Sequence, residues 1–144
     1  MVEIKVKRLY KDVDLPIKSA ENVYDIWMYD EELDISRKLI KYKTGLAFDI
    51  PEGYIGLVVP RFRMSLTHAQ MANGIGIIHP NCGDTELVIH CTISHGHFKY
   101  EEDKEKNENV CIGLAPFPKP NKPARIAQLI VIPIPDITLV EVSE

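Results

Sequence analysis

Short apolar runs, each closed by proline, glycine or asparagine, leave this chain little freedom of architecture. In "VEIKVKRL", Val2, Ile4 and Val6 alternate with charged residues, the period of a half-buried strand. "KTGLAFDIPEGYIGLVVP" holds two strands: Leu46, Phe48 and Ile50 line one face, Pro51-Glu52-Gly53 makes the turn, and Ile55, Leu57 and Val59 follow in the next strand. "ELVIHCTIS" puts Leu87, Ile89, Cys91 and Ile93 on one face and His90, Thr92 and Ser94 on the other. "RIAQLIVIPIP" is apolar on both faces over 129–132, which requires deep burial or cover by another subunit. "ITLVEV" reads as a last strand. Ten prolines fall mainly between these runs, as punctuation. Many short strands with Gly and Pro turns specify an all-β sandwich or barrel.

Two stretches fit this pattern poorly. "ENVYDIWMYDEELDISRK" sets Val23, Ile26, Trp27 and Leu33 near helical spacing, and "SLTHAQMAN" has room for one or two helical turns. "KYEEDKEKNEN" (99–109) is charged and poor in apolar residues, the composition of a solvated hairpin loop. "PFPKPNKP" is a stiff, extended connector.

The chain has 144 residues, enough for a single domain over 1–144 with a real core. A net charge of −4 gives no general attraction for nucleic acid or anionic lipid, so neither nucleic acid nor a membrane is an expected partner. Phosphate binding must then come from a local cluster of Arg and Lys. No apolar run approaches the length of a membrane span, and "MVEIKVKRLYKD" lacks the apolar centre of a signal peptide. Cys82, Cys91 and Cys111 are an odd number without a framework, which suits free thiols in the cytoplasm.

Several runs together resemble the trimeric dUTPase family. "KYKTGLAFDIPEGYIGLVVPR" (41–61) resembles that family's hairpin leading into its Pro-Arg-Ser-Ser motif. "MANGIGII" (71–78) resembles its uracil-binding hairpin. "RIAQLIVIPIP" (125–135) resembles its Gly-Asp-Arg-Ile-Ala-Gln-Leu strand, and "LPIKSAENVYDIW" resembles Ser-Ala-Gly-Tyr-Asp-Leu with a small insertion. The resemblance spans roughly 15–142. It implies a dUTPase-like β jelly roll (a β-clip), a homotrimer, and nucleotide sites between subunits. The implied activity is Mg²⁺-dependent hydrolysis of dUTP to dUMP and pyrophosphate.

The residues give their own reasons for such chemistry. A pyrimidine can be read by backbone N–H and C=O groups of a splayed hairpin, provided small residues let the base approach. Gly74 and Gly76 supply that, and Asn73 offers a donor and an acceptor at the hairpin mouth. Standing alone, "NG" is simply a turn signal. By the resemblance, Asn73 with the Gly76–Ile77 backbone holds the base, and Arg61 and Gln128 face the phosphates. Asp25 lies near the magnesium-bound phosphates, the ion arriving on the nucleotide.

The departures from the family pattern bear most on activity. His79 stands where the family has the aspartate that orients the attacking water. A neutral imidazole can accept a proton, with an unperturbed pKa near 6.5, but attack needs atoms placed to about an ångström. His79 either preserves base chemistry in altered form or marks its loss, and loss is the expectation. Cys82 replaces a tyrosine that stacks under deoxyribose. Phe62 replaces a phosphate-binding serine and cannot donate, whereas Arg63, next along, either replaces that donor or stacks on a base. Pro123-Ala124 replaces Gly-Asp. The chain closes on "LVEVSE" without the family's Gly-rich arm. A zinc reading of His79, Cys82, His90, Cys91, His95 and His97 meets the objection that His90 and Cys91 point to opposite faces of one strand. Two functions follow: a nucleotide hydrolase, or a non-catalytic relative that sequesters a nucleotide or engages a protein partner through the same site.

Overall fold

The computed structural model describes residues 1–61, 69–93, 98–114 and 124–143, and every regular element among them is a strand. The elements are β1 (Lys5–Arg8), β2 (Ile17–Ala20), β3 (Val23–Trp27), β4 (Asp30–Asp34), β5 (Leu39–Lys43), β6 (Leu46–Asp49), β7 (Tyr54–Pro60), β8 (Ala69–Met71), β9 (Gly76–Ile78), β10 (Val88–Ile93), β11 (Phe98–Asp103), β12 (Glu108–Leu114) and β13 (Arg125–Pro133). A five-stranded sheet runs β2-β3-β13-β7-β9 and a four-stranded sheet runs β4-β5-β10-β8. β1 pairs with β6, and β11 pairs with β12. All named ladders are antiparallel, and the sheets do not close into a barrel.

The core lies where the two larger sheets meet. Ile26, Val58, Ala127 and Leu129 come from the five-stranded sheet, Ile40, Tyr42, Ile89 and Cys91 from the four-stranded one, and Leu46, Phe48 and Ile50 lie in the same cluster. Alternation in "ELVIHCTIS" resolves as read: Ile89 and Cys91 are buried, while His90 and Thr92 are exposed. Thr44 stitches this sheet to β6, since its Oγ1 donates to the Leu87 carbonyl at 2.7 Å and accepts from the Leu46 N–H at 3.2 Å.

Several expectations are corrected. The 21–38 stretch is not helical: β3 pairs with β13 and β2, β4 pairs with β5, and a turn follows at 35–38, where Lys38 takes φ 57°. Of "SLTHAQMAN", 69–71 form β8, and 65–68 lie outside the described residues. Residues 99–109 are mostly strand, in a hairpin whose turn is 104–107. β1 is exposed along its length because it pairs only with β6. On β7 the deeper side is Gly56 and Val58, while Ile55, Leu57 and Val59 are half-buried. "ITLVEV" forms no strand. It has no pairing partner among the described residues and leaves Ile137, Leu139, Val140 and Val142 exposed. Phe62, Arg63, His95, His97, Pro123 and "PFPKPNKP" lie outside the described residues.

Candidate functional site

A buried carboxylate organises one end of the five-stranded sheet. Asp25 on β3 is 1% exposed. It pairs with Gln128 on β13, and Gln128 pairs with Val59 on β7, so the three share one row and one face. Gln128 Nε2 donates to Asp25 Oδ1 at 3.0 Å. The Arg125 guanidinium donates to Asp25 Oδ2 at 3.1 Å, and Arg61 Nε lies 3.4 Å from the same oxygen. Two guanidiniums around one carboxylate leave the cluster with an excess positive charge. Arg61 and Arg125 remain part-exposed above it, at 21% and 37% of their side-chain surface.

Backbone irregularity builds this arrangement. Arg125 and Gln128 are three residues apart, which on a regular strand puts them on opposite faces. Here Arg125 pairs with Trp27 while Ala127 pairs with Ile26, so β13 carries an extra residue between them. That bulge at Ile126 turns Arg125 onto the Gln128 face. The Ile126 carbonyl, in turn, accepts the Arg61 backbone N–H at 3.3 Å. Arg125 also lies over the Trp27 ring, its Cζ 5.6 Å from the centroid. Arg61, Asp25 and Gln128 thus lie together, with Arg125 and Trp27 beside them.

The second feature is the turn between β8 and β9, two strands that pair not with each other but with β10 and β7. It closes through Gly74 N–H to the Met71 carbonyl at 3.1 Å and Ile75 N–H to the Asn73 carbonyl at 2.8 Å. Gly74 takes φ +71°, a conformation that favours glycine. A cavity of about 220 Å³ opens beside it, lined by Val58, Met71, Asn73, Gly76, Leu87 and His90 among others. A methyl group on Gly76 would sit 3.4 Å from Val58 Cβ and 3.9 Å from Asn73 Nδ2, so the missing side chain leaves room between these two residues. Ile77 is exposed beside it at 53%.

His79 is exposed just past β9, and Pro80 bridges to Ile50. Cys82 is half-buried, its thiol directed to the Pro80 carbonyl at 3.8 Å. Gly76 pairs with Val58, one row from the Gln128–Val59 row, and His79 follows three residues later on a strand two places from β13. At about 3.4 Å per residue and 4.8 Å per strand, four rows and two strands put His79 roughly 17 Å from Gln128 within one chain. The cavity opens on the Val58 side of β7, whereas the Asp25–Gln128 row lies on the Val59 side, so within one chain the two features lie on opposite faces of the sheet. His90 is exposed and Cys91 fully buried on adjacent positions of β10, so the two cannot share an ion. Among the described residues no group of three or more His, Cys, Asp or Glu could hold a metal.

No family profile matches the chain. It is 29% identical over 96 residues to the deoxyuridine 5′-triphosphate nucleotidohydrolase of Escherichia phage T5, covering 67% of this chain and 51% of that protein. It spans 51% and 59% of the length of the first two curated relatives it matches. Among solved structures, the Staphylococcus bacteriophage 80alpha dUTPase G164S mutant with dUpNHpp is 28% identical. The match has a TM-score of 0.70 and covers 100% of this chain and 90% of that one. The dUTPase from phage phi11 of S. aureus is 26% identical with a TM-score of 0.70, covering 99% and 97%.

Proposed function

The chain is a divergent member of the dUTPase family, and from that premise we propose that it binds a pyrimidine deoxynucleotide, dUTP first among them, in sites shared between the subunits of a homotrimer. The observation that carries this reading is the Asp25–Arg61–Arg125–Gln128 cluster, a net-positive, part-exposed surface fit for phosphate oxygens. Asn73 and the Gly76–Ile77 backbone at the β8–β9 cavity take the base. With these two features apart in one chain, a second copy supplies the missing half. The exposed apolar residues of 137–142 and the half-buried Ile130–Ile132 face of β13 support such assembly.

Magnesium is implied by the family. Asp25 does not fit as its ligand: both carboxylate oxygens accept from side-chain donors, and the group is buried beneath them. In this reading the ion is held by the nucleotide's own phosphates, where it would neutralise their charge.

Hydrolysis to dUMP and pyrophosphate is slow in this proposal. His79 replaces the carboxylate that would direct water, and Phe62 supplies no phosphate donor. The same two substitutions favour a second reading, a non-catalytic nucleotide-sequestering or regulatory module with a protein partner. Arg63 remains a candidate phosphate or base contact from its position beside Phe62. The free thiol of Cys82 and the buried thiol of Cys91 support a cytoplasmic location; among the described residues no helix is long and apolar enough to cross a membrane.

Product analysis tests the proposal. Untagged protein is mixed with Mg²⁺ and a panel of ribo- and deoxynucleoside triphosphates, and nucleotides, including any that co-purify, are separated by ion exchange. Retention of dUTP with slow formation of dUMP supports the first reading. Retention with no product supports the second. Nucleotides neither retained nor converted would overturn both nucleotide readings.

A further inference from the structure

We propose that Asn73 and Gly74 form a self-modification site. The Gly74 backbone nitrogen cyclises onto the Asn73 side chain, the amide leaves as ammonia, and the carboxylate that remains closes the cavity beside β8 and β9 to a nucleotide base. The modification rests on geometry; its consequence for binding rests on the pyrimidine reading.

Asn73 is the only asparagine followed by glycine. A side chain on the following residue obstructs approach of its nitrogen, and Gly74 has none. The space around it is open, since an added Cβ would meet nothing within 4 Å. Both residues are exposed. Other asparagine amides are tied down. Asn22 Nδ2 donates to the Val131 carbonyl at 2.6 Å and its Oδ1 accepts the Val131 N–H at 3.2 Å, while Asn81 Nδ2 donates to Glu52 Oε1 at 2.8 Å. Among the described residues the Asn73 amide has no hydrogen-bond partner, which leaves its Cγ free to turn towards Gly74.

The sheets leave this turn unbraced. β8 pairs only with β10 and β9 only with β7, so no ladder crosses it. Gly74 N–H donates to the Met71 carbonyl at 3.1 Å, and attack requires that bond to open. It opens without breaking a rung of either sheet, the kind of local event that exposed turns undergo well below global unfolding.

The step needs no reagent but water. A bond forms between the Gly74 nitrogen and Asn73 Cγ, the Cγ–Nδ2 bond breaks, and ammonia leaves with the Gly74 proton, giving a succinimide. Water then opens the ring at Cγ to aspartate, or at the main-chain carbonyl to isoaspartate with the chain rerouted through the side chain. Nothing is oxidised or reduced. Either product replaces a donor and an acceptor with a carboxylate that only accepts. It stands at the edge of a cavity lined by Val58, Met71 and Leu87, where a negative charge opposes an anionic nucleotide.

The full-length chain is aged at mildly alkaline pH, with and without dUTP, and compared with fresh protein by intact mass and peptide fragmentation. A gain of about 1 Da is expected at Asn73, with isoaspartate among the products and Asn22 and Asn81 unchanged. Gly74→Ala should slow the gain about tenfold or more. That variant must hold φ +71°, so circular dichroism melts accompany it, and Asn73→Gln, whose longer side chain cyclises poorly, should abolish the gain independently. By calorimetry the aged protein should bind dUTP about tenfold or more weakly than the fresh, and bound dUTP should slow the modification. An unmodified Asn73, a rate no greater than at Asn81, an equal rate in Gly74→Ala, or modification confined to denatured protein overturns the site. Undiminished dUTP affinity in fully modified protein overturns the consequence for binding. Fresh protein that binds no dUTP yet gains mass at Asn73 leaves the modification standing and defeats the pyrimidine reading.

Discussion

Cys91 has no exposed surface, and burial pushes its thiol up to about 12. An unfolded thiol titrates near 8.5. Because the folded value is raised, the stability Cys91 contributes is fully present below that unfolded value and is lost as pH climbs towards 12. The same shift starves it of thiolate at pH 8. Iodoacetamide followed by peptide mass mapping should label half-buried Cys82 in the native protein and Cys91 only after denaturation. Equal native labelling of the two would contradict the burial. His79 poses the opposite problem, since it is exposed and available. On the reading proposed above, a carboxylate at position 79 would not supply the phosphate donor that Phe62 lacks. His79→Asp should therefore leave dUTP turnover within about tenfold of the parent, measured as pyrophosphate release. A gain of several orders of magnitude would identify the histidine as the sole lesion.

Among elements, β6, β7, β10 and β13 were legible because each is an apolar run ended by a turn, whatever its partners. β3 and β4 were not. Buried Asp25 breaks the apolar alternation of β3, and β4 reads "DEELD", a charged edge strand paired on one side only. The segment 137–142 failed in the other direction: its pattern suits a strand, but pairing is a property of the partner, and none lies beside it among the described residues. The same limit applies to the candidate site. Asp25, Arg61 and Gln128 are each expected from the sequence, but the placing of Arg125 beside them depends on the bulge at Ile126, which spacing does not announce. The turn between β8 and β9 offers a clean separation of fold from binding. Gly74→Ala meets no atom but must adopt φ +71°, which costs about 1 kcal/mol of stability. Gly76→Ala makes only ordinary contacts and should melt close to the parent, yet its methyl group fills the space between Asn73 and Val58. Nucleotide affinity by calorimetry should fall about tenfold or more for Gly76→Ala. A destabilised Gly76→Ala with unchanged affinity would remove the cavity from the base-binding role.

At the scale of the whole molecule, the exposed residues Ile137, Leu139, Val140 and Val142 make an apolar surface that a lone chain leaves in water. Light scattering after size exclusion should give the mass of three chains, and Leu139→Asp combined with Val142→Asp should shift it towards one. A monodisperse parent monomer at micromolar concentration would contradict assembly. The separation of hairpin and arginine cluster within the chain allows a sharper test. Gly76→Ala spoils the first half of a site and Arg61→Gln the second, so homotrimers of either variant should bind dUTP poorly. Unfolding the two together and refolding them as a mixture gives trimers in which about one quarter of the shared sites join an intact hairpin to an intact cluster, by random assortment around a closed ring. Recovery of tight binding at about that stoichiometry requires the two halves to come from different chains. No recovery, in mixed trimers confirmed by mass, would put both halves of the site in one chain, and the roughly 17 Å between His79 and Gln128 would then have to be bridged by the ligand itself.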